Sequence, residues 1–98
     1  MEKISEERAM RELERVIDPE LGLDIVTLGF VRGISVDSRN GSARVVMTLT
    51  TPLCPIRGEI AGQVRKILAG IGLADVTVDF SFDPPWKPSP EVRAILGL

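Results

Sequence analysis

The fold is decided by residues 42–82, whose sequence is SARVVMTLTTPLCPIRGEIAGQVRKILAGIGLADVTVDFSF. Both ends of this stretch are rich in β-branched residues, and residues 74–82 alternate apolar with polar side chains, so strands are predicted over residues 42–50 and 74–82. Between them, apolar residues recur at helical spacing over residues 55–71, and Pro55 suits the first helical position. A strand, a helix and another strand in this order predict a parallel pair of strands joined by a crossover helix.

Another strand precedes this unit over residues 30–37. Asn40-Gly41 lies between the two strands and indicates a two-residue type I′ turn, because that turn needs a positive φ at both positions. With the turn placed there, apolar residues face apolar residues and an acid faces a base across the hairpin. The predicted opposite pairs are Val36–Val45, Ile34–Met47 and Asp37–Arg44.

The N-terminal helix is predicted over residues 5–17, with Ser5 as its cap. Pro19 disfavours helical geometry at Asp18, so the helix is expected to stop there. Residues 18–29 fit neither the helical nor the strand period, and their apolar members predict a loop that packs against the core. The face of the helix that turns inward is predicted to carry Ala9, Leu13, Val16 and Ile17.

A short closing helix is predicted over residues 90–96, with Ser89 as its cap. The element order is then α-β-β-α-β, followed by this helix. One face of the predicted sheet is apolar and must be covered by the helices. We therefore expect a single domain, residues 1–98, with a two-layer α+β fold: a three-stranded sheet in the order 1-2-3, covered on one face by two helices.

The composition argues against several classes of function. The chain has 98 residues, and 12 basic against 14 acidic residues give a net charge of −2, which argues against general nucleic-acid binding. Its uncharged stretches fall short of the about 20 apolar residues that span a bilayer, so no membrane association is expected. The N-terminal residues are acidic and polar, unlike a signal peptide, so we expect a cytoplasmic protein.

Nucleophilic and metal chemistry is limited by the presence of one cysteine and no histidine. These counts exclude a disulfide framework, a Cys-His or Ser-His pair, and a cluster held by four thiolates of one chain. The single thiol, Cys54, precedes Pro55 at the predicted start of the second helix. Backbone N–H groups and the helix dipole stabilise a thiolate there, which favours a nucleophile or a metal ligand. The alternative is a small buried apolar side chain.

Two further features could carry function. Asp18 and Glu20 flank Pro19, and their carboxylates could serve as metal ligands, as a general base or as an acidic contact for a partner. The spacing favours the simpler interpretation, a turn that ends the helix with Glu20 in solvent. Trp86, the only tryptophan, lies in a proline-rich segment. We interpret it as a lid on the core rather than as an exposed anchor for a partner.

Three motifs in order resemble the small iron–sulfur cluster assembly domain family, which includes SufT, PaaD and the eukaryotic cytosolic targeting factor first called MIP-eighteen. They are DPELGLDIVTLGFV at residues 18–31, MTLTTPLCP at residues 47–55 and DPPW at residues 83–86, with a Leu-Gly pair near the C-terminus. The resemblance covers nearly the whole chain and implies the α-β-β-α-β fold. It also implies maturation or delivery of Fe–S clusters through protein partners rather than enzymatic turnover.

The resemblance also assigns the site residues, with Cys54 as a transient ligand or reactive thiol. The DPE motif corresponds to Asp18 and Glu20, followed by Leu21. The family places these residues in one site with a second motif, TTPxCP. That motif corresponds to Thr50, Thr51, Cys54 and Pro55.

One thiol in each chain limits what can be bound. No stably bound cofactor is expected, and iron or an Fe–S cluster would be held transiently, with a partner or a homodimer completing the ligands. The expected partners are the Fe–S assembly machinery or client apoproteins. The alternative function is a small cysteine-dependent enzyme, with Cys54 as nucleophile and Asp18 or Glu20 as base.

Overall fold

The computed structural model describes residues 3–97. The elements are α1 (Glu6–Leu13), β1 (Val31–Asp37), β2 (Ser42–Met47), α2 (Arg57–Ala69), β3 (Asp75–Phe80) and α3 (Pro90–Leu96). The sheet has the order β1-β2-β3, in which β2 is antiparallel to β1 and parallel to β3. The first helix packs against the first strand and the second helix, which in turn packs against β3. The predicted α+β fold, sheet order and parallel third strand are confirmed.

The hydrophobic core lies between the sheet and the two longer helices. Alternate side chains of β2 point into it, whereas Arg44 on the opposite face forms an ion pair with Asp79 of β3 at 2.7 Å. Within residues 3–97, no helix has the length and apolar character needed to cross a membrane. The fully buried core members from α1, β2 and α2 include Ala9, Leu13, Val45, Met47, Ile60, Val64 and Leu68.

The first helix is shorter than predicted, because its end tightens and the chain then becomes extended. The N–H groups of residues 14–16 each donate to a carbonyl three residues back, and α1 ends at Leu13. Ile17, predicted on the buried face, pairs with Asp24 in an isolated antiparallel bridge and is 47% exposed. The helix therefore ends well before the Pro19 signal that was expected to stop it.

The β1–β2 hairpin has a four-residue loop instead of the predicted two-residue turn. The carboxylate of Asp37 accepts hydrogen bonds from the backbone N–H of Asn40 at 3.3 Å and from its side-chain amide at 2.6 Å. Gly41 has a φ of 64°, but Asn40 does not have a positive φ, which excludes a type I′ turn. The predicted register is therefore wrong by two residues. The observed pairs are Val36–Ala43, Ile34–Val45 and Asp37–Ser42.

The remaining elements follow the predictions more closely. The closing helix α3 has the predicted bounds, and the hydroxyl of Ser89 accepts a hydrogen bond from the Val92 N–H at 3.2 Å. The strands β2 and β3 end at Met47 and Phe80, earlier than predicted, although the Ser81 N–H still donates to the Met47 carbonyl at 2.8 Å. The second helix is shorter than predicted at both ends.

Candidate functional site

The buried carboxylate of Asp18 stabilises the loop that follows α1 through hydrogen bonds to its backbone. Its side chain is 3% exposed, and Oδ1 accepts hydrogen bonds from the N–H groups of Glu20 at 2.8 Å and Leu21 at 3.0 Å. Its own N–H donates to the Leu23 carbonyl at 2.9 Å, and its carbonyl accepts from the Gly22 N–H at 2.8 Å. The turn expected at this position is present. The carboxylate is nonetheless buried and hydrogen-bonded, while Glu20 lies exposed as predicted.

A second aspartate repeats this arrangement and was missed by the sequence analysis. Oδ2 of Asp24 accepts hydrogen bonds from the N–H groups of Val26 at 3.0 Å and Thr27 at 2.9 Å. Aspartate favours such turns because its short side chain reaches backbone N–H groups two and three residues ahead. The signal available in the sequence was the recurrence of an aspartate six residues after Asp18, within a stretch that fits no regular period.

Trp86 closes the other side of this loop. Its indole N–H donates to the Leu28 carbonyl at 2.7 Å, and its ring meets Phe30 edge to face with the centroids 5.2 Å apart. Leu28 and Phe30 are both buried in the core. The interpretation of Trp86 as a lid on the core is therefore confirmed, and the loop at residues 18–29 is packed down as predicted.

Cys54 lies in a tight loop between β2 and α2. Its N–H donates to the Thr51 carbonyl at 3.2 Å, and its carbonyl accepts from the Arg57 N–H at 3.4 Å. The hydroxyl of Thr51 accepts a hydrogen bond from the Leu53 N–H at 3.3 Å. Cys54 is 8% exposed and belongs to the core cluster, whereas Thr50, Thr51 and Pro55 are exposed around it.

The prediction that Cys54 occupies the helix N-cap is wrong. The N-cap residue is Ile56, which provides no side-chain cap, and α2 begins at Arg57. Pro55 consequently lies in the preceding turn instead of the first helical position. Because the helix dipole acts within the first turn, it stabilises a thiolate at Cys54, two residues before the N-cap, less than it would at the N-cap itself.

Both motif segments contribute side chains to the hydrophobic core. Cys54 belongs to the same buried cluster as Ile25 and Leu28 of the DPE loop and as Leu49, which follows β2. The carboxylates do not complete a metal site with this thiol: within residues 3–97, no group of three His, Cys, Asp or Glu side chains could hold a metal ion. Cys54 can therefore contribute one ligand, but the remaining ligands must come from elsewhere.

Arg57, at the start of α2, is a feature that the sequence analysis missed. Its guanidinium carbon lies 4.6 Å from the ring centroid of Phe80 and 5.5 Å from that of Phe82. These two rings stack nearly parallel, with centroids 6.2 Å apart. A guanidinium over an aromatic face is held by cation–π attraction. No sequence signal pointed to this contact, because it joins the start of a helix to side chains at the end of β3.

The three motifs and the α-β-β-α-β order occur together in one small α+β fold. Residues 6–80 match the family described as "Iron-sulfur cluster assembly protein", and the chain belongs to this family. The fold and the family that the resemblance implied are thereby confirmed.

Two curated relatives and one solved structure illustrate the similarity. The chain is 39% identical over 102 residues to the Fe-S protein maturation auxiliary factor YitW of Bacillus subtilis, which covers 100% of this chain and 99% of that protein. It is 47% identical over 72 residues to the Fe-S protein maturation auxiliary factor SufT of Staphylococcus aureus, covering 72% and 81% of the two chains. A conserved hypothetical protein from Thermotoga maritima superposes with a TM-score of 0.83 at 42% identity, covering 100% and 99%.

Proposed function

We propose that this protein assists the assembly or delivery of iron–sulfur clusters by acting on protein partners, which are the Fe–S assembly machinery or client apoproteins. The support comes from membership of the family and from similarity to relatives named Fe-S protein maturation auxiliary factors over most or all of the chain. In this proposal Cys54 acts as a transient ligand or reactive thiol. We also propose that residues 1–98 form one domain of this kind, and a cytoplasmic location stays a prediction.

The presence of one thiol in each chain limits how this protein could hold a cluster. An Fe–S cluster is ordinarily held by four protein ligands, most often thiolates, and this chain offers Cys54 and no histidine. One protomer therefore cannot keep a cluster with its own thiolates. A cluster that touches Cys54 is completed by ligands from a partner, a second copy or small external thiols, which favours passing the cluster on over storing it.

Each of the other proposed site residues has a position that fits this role. Asp18 and Thr51 shape the two loops by accepting hydrogen bonds from backbone N–H groups. Glu20 and Thr50 are exposed, so their oxygens are available to a partner or to iron. We propose that Leu21 and Pro55 complete the site by packing and by stiffening the loops, respectively.

A cysteine-dependent enzyme is supported less well. Such an enzyme needs a base in contact with the thiol, but Oδ1 of Asp18 already accepts two backbone hydrogen bonds, and Cys54 is largely buried. We therefore propose a factor without substrate turnover, in which Cys54 binds iron or a cluster together with ligands from a partner, a second copy or a small external thiol.

The test is complementation of a Bacillus subtilis strain that lacks its own relative. The strain produces this chain, its Cys54→Ser variant or the matched control Ser35→Ala, whose position lies on the exposed face of β1. The readout is the activity of an Fe–S-dependent enzyme in extracts, measured before and after anaerobic chemical reconstitution of its cluster.

We expect the wild-type chain and Ser35→Ala to restore activity, and Cys54→Ser to leave an apoenzyme that reconstitution rescues. Equal activity in the strain with and without the wild-type chain would contradict the proposed function. Full activity with Cys54→Ser would show that the proposed function does not require the thiol.

A further inference from the structure

The loop that buries Cys54 also presents a large apolar side chain to solvent. Leu53 is 88% exposed, more than Ile95 at 60% or Ile17 at 47%. A leucine held in water forgoes the stabilisation that burial of its side chain would give. Folding of the described residues does not use Leu53, which makes it available to a second molecule.

The backbone holds Leu53 in this outward position. Pro52 precedes Leu53, and the N–H of Leu53 donates to the Thr51 hydroxyl at 3.3 Å. On the other side, the side chain of Cys54 anchors the loop in the core, and the Cys54 N–H closes a turn on the Thr51 carbonyl. A loop whose backbone is ordered before binding loses little backbone conformational entropy when a partner covers its exposed side chain.

Arg57 presents a positive charge four residues further along the same segment. The rings of Phe80 and Phe82 hold its guanidinium in place. Within residues 3–97 the ion pairs join Arg15 to Glu12 and Arg44 to Asp79, so no carboxylate of the described chain pairs with Arg57. Its donors therefore remain available to an anionic group, and arginine is suited to binding carboxylates.

We infer that Leu53 and Arg57 form a docking surface for a partner protein that offers an apolar recess beside a carboxylate. The leucine fills the recess, and the fixed guanidinium pairs with the acid, which gives the contact both affinity and charge selectivity. A second copy of this chain fits less well, because a symmetric contact centred on this surface brings two Arg57 guanidinium groups together.

This inference rests on the proposed function for the class of partner, since an assembly factor must contact the protein that gives or receives the cluster. It adds the chemistry by which that protein is recognised. The surface lies beside Cys54 in the chain, so a partner that docks there is brought to the segment that holds the thiol.

A random-peptide display library selected on the purified chain tests the inference without knowledge of the natural partner. We expect the enriched peptides to combine Asp or Glu with large apolar residues. Leu53→Ala and Arg57→Gln should each weaken binding of the synthesised peptides by about tenfold, as removal of an interface anchor does. The effect of Arg57→Gln should disappear when the acid of the peptide is replaced by its amide.

Matched controls separate this surface from the rest of the molecule. Ile95→Ala removes another exposed aliphatic side chain, and Arg39→Gln removes an exposed charge from the hairpin loop, at the opposite end of β2. Both should change affinity by less than about twofold. Peptide binding is read without any Fe–S enzyme, whereas complementation reads Fe–S enzyme activity, so failure of docking and failure of the proposed function are distinguishable.

Three results would overturn the inference. The first is a selection that enriches no peptides, or only basic or uncharged ones. The second is binding that Leu53→Ala and Arg57→Gln leave unchanged while both variants stay folded. The third is a dimer in sedimentation that Leu53→Ala converts to a monomer, which would assign the surface to self-association.

Discussion

The carboxylate of Asp18 is expected to stabilise the fold, and its replacement measures by how much. Asp18→Ala removes the acceptor of two hydrogen bonds, at 2.8 and 3.0 Å, inside a site that is 3% exposed. A hydrogen bond to a charged group contributes about 1.5–3 kcal/mol, and an unsatisfied buried donor costs about 1–3 kcal/mol. Because Glu20 and Leu21 are not fully buried, water can reach part of the loop, and we expect a loss of about 2–4 kcal/mol in the free energy of unfolding.

The assay is unfolding in urea, followed by the fluorescence of Trp86, the only tryptophan. Asp18→Asn keeps a neutral oxygen as acceptor and should lose about 1 kcal/mol. The matched control Glu20→Ala alters an exposed side chain and should stay within about 0.5 kcal/mol of the wild type. If Asp18→Ala also stays within that range, the reasoning that makes Asp18 a structural brace is refuted. If Asp18→Asn folds well but fails in complementation, the carboxylate has a chemical role besides bracing the loop.

Three further predictions concern stability and access. Gly41→Val should destabilise by about 1–3 kcal/mol in calorimetry, because the φ of Gly41 is 64° and an added Cβ would lie 3.1 Å from the Gly72 carbonyl oxygen; a change below a few tenths would contradict this. Trp86→Phe should lose about 1 kcal/mol, measured by circular dichroism, since it deletes the hydrogen bond to the Leu28 carbonyl; unchanged stability would show that bond to be dispensable. Iodoacetamide should alkylate Cys54 at least about tenfold more slowly in the native chain than in urea, because the sulfur needs local opening of its loop, and equal rates would refute this burial.

The hairpin shows which part of a sheet an apolar pattern can predict. The predicted and observed registers differ by two residues, and a shift of two keeps every side chain on the same face of the sheet. The sorting of apolar from polar residues was therefore correct in both registers and could not choose between them. The observed register goes with a longer loop, in which the Asp37 carboxylate accepts hydrogen bonds from the backbone and side chain of Asn40.

The end of α1 was not predicted correctly, because it depends on hydrogen bonds to residues outside the helix. Periodicity placed Val16 and Ile17 in one helix, but the Val16 carbonyl accepts a hydrogen bond from the Ile25 N–H, and Ile17 pairs with Asp24. These partners lie in a loop whose path no local pattern predicts. By contrast, α3 was predicted with its observed bounds, because its cap, Ser89 before Pro90, is a local signal. The structure adds that Gly97 ends the helix in the left-handed conformation, with a φ of 76°.

In the candidate site, too, some features follow from local sequence and others only from the folded structure. Motifs in the sequence pointed to Asp18, Glu20, Thr51 and Cys54, and the turn at Asp18 follows from the local chemistry of aspartate and proline. The pairing of Arg57 with Phe80 and Phe82 depends on how α2 packs against β3, so only the folded chain reveals it. The burial of Cys54 likewise depends on the core cluster around it.

Visible circular dichroism of the purified chain tests directly whether Cys54 is a transient ligand of an Fe–S cluster. The chain is incubated anaerobically with ferrous and ferric iron, sulfide and a small external thiol, which together supply the iron oxidation states and the sulfur of a cluster. A cluster gives visible dichroism bands only when a chiral protein holds it. We predict bands that need both Cys54 and the external thiol, that are absent from Cys54→Ser, and that disappear on desalting, since one protein thiol cannot hold a cluster alone. Bands that survive desalting would show stable binding, and equal bands from Cys54→Ser would show that Cys54 is not a ligand. Either result would contradict transient ligation by Cys54.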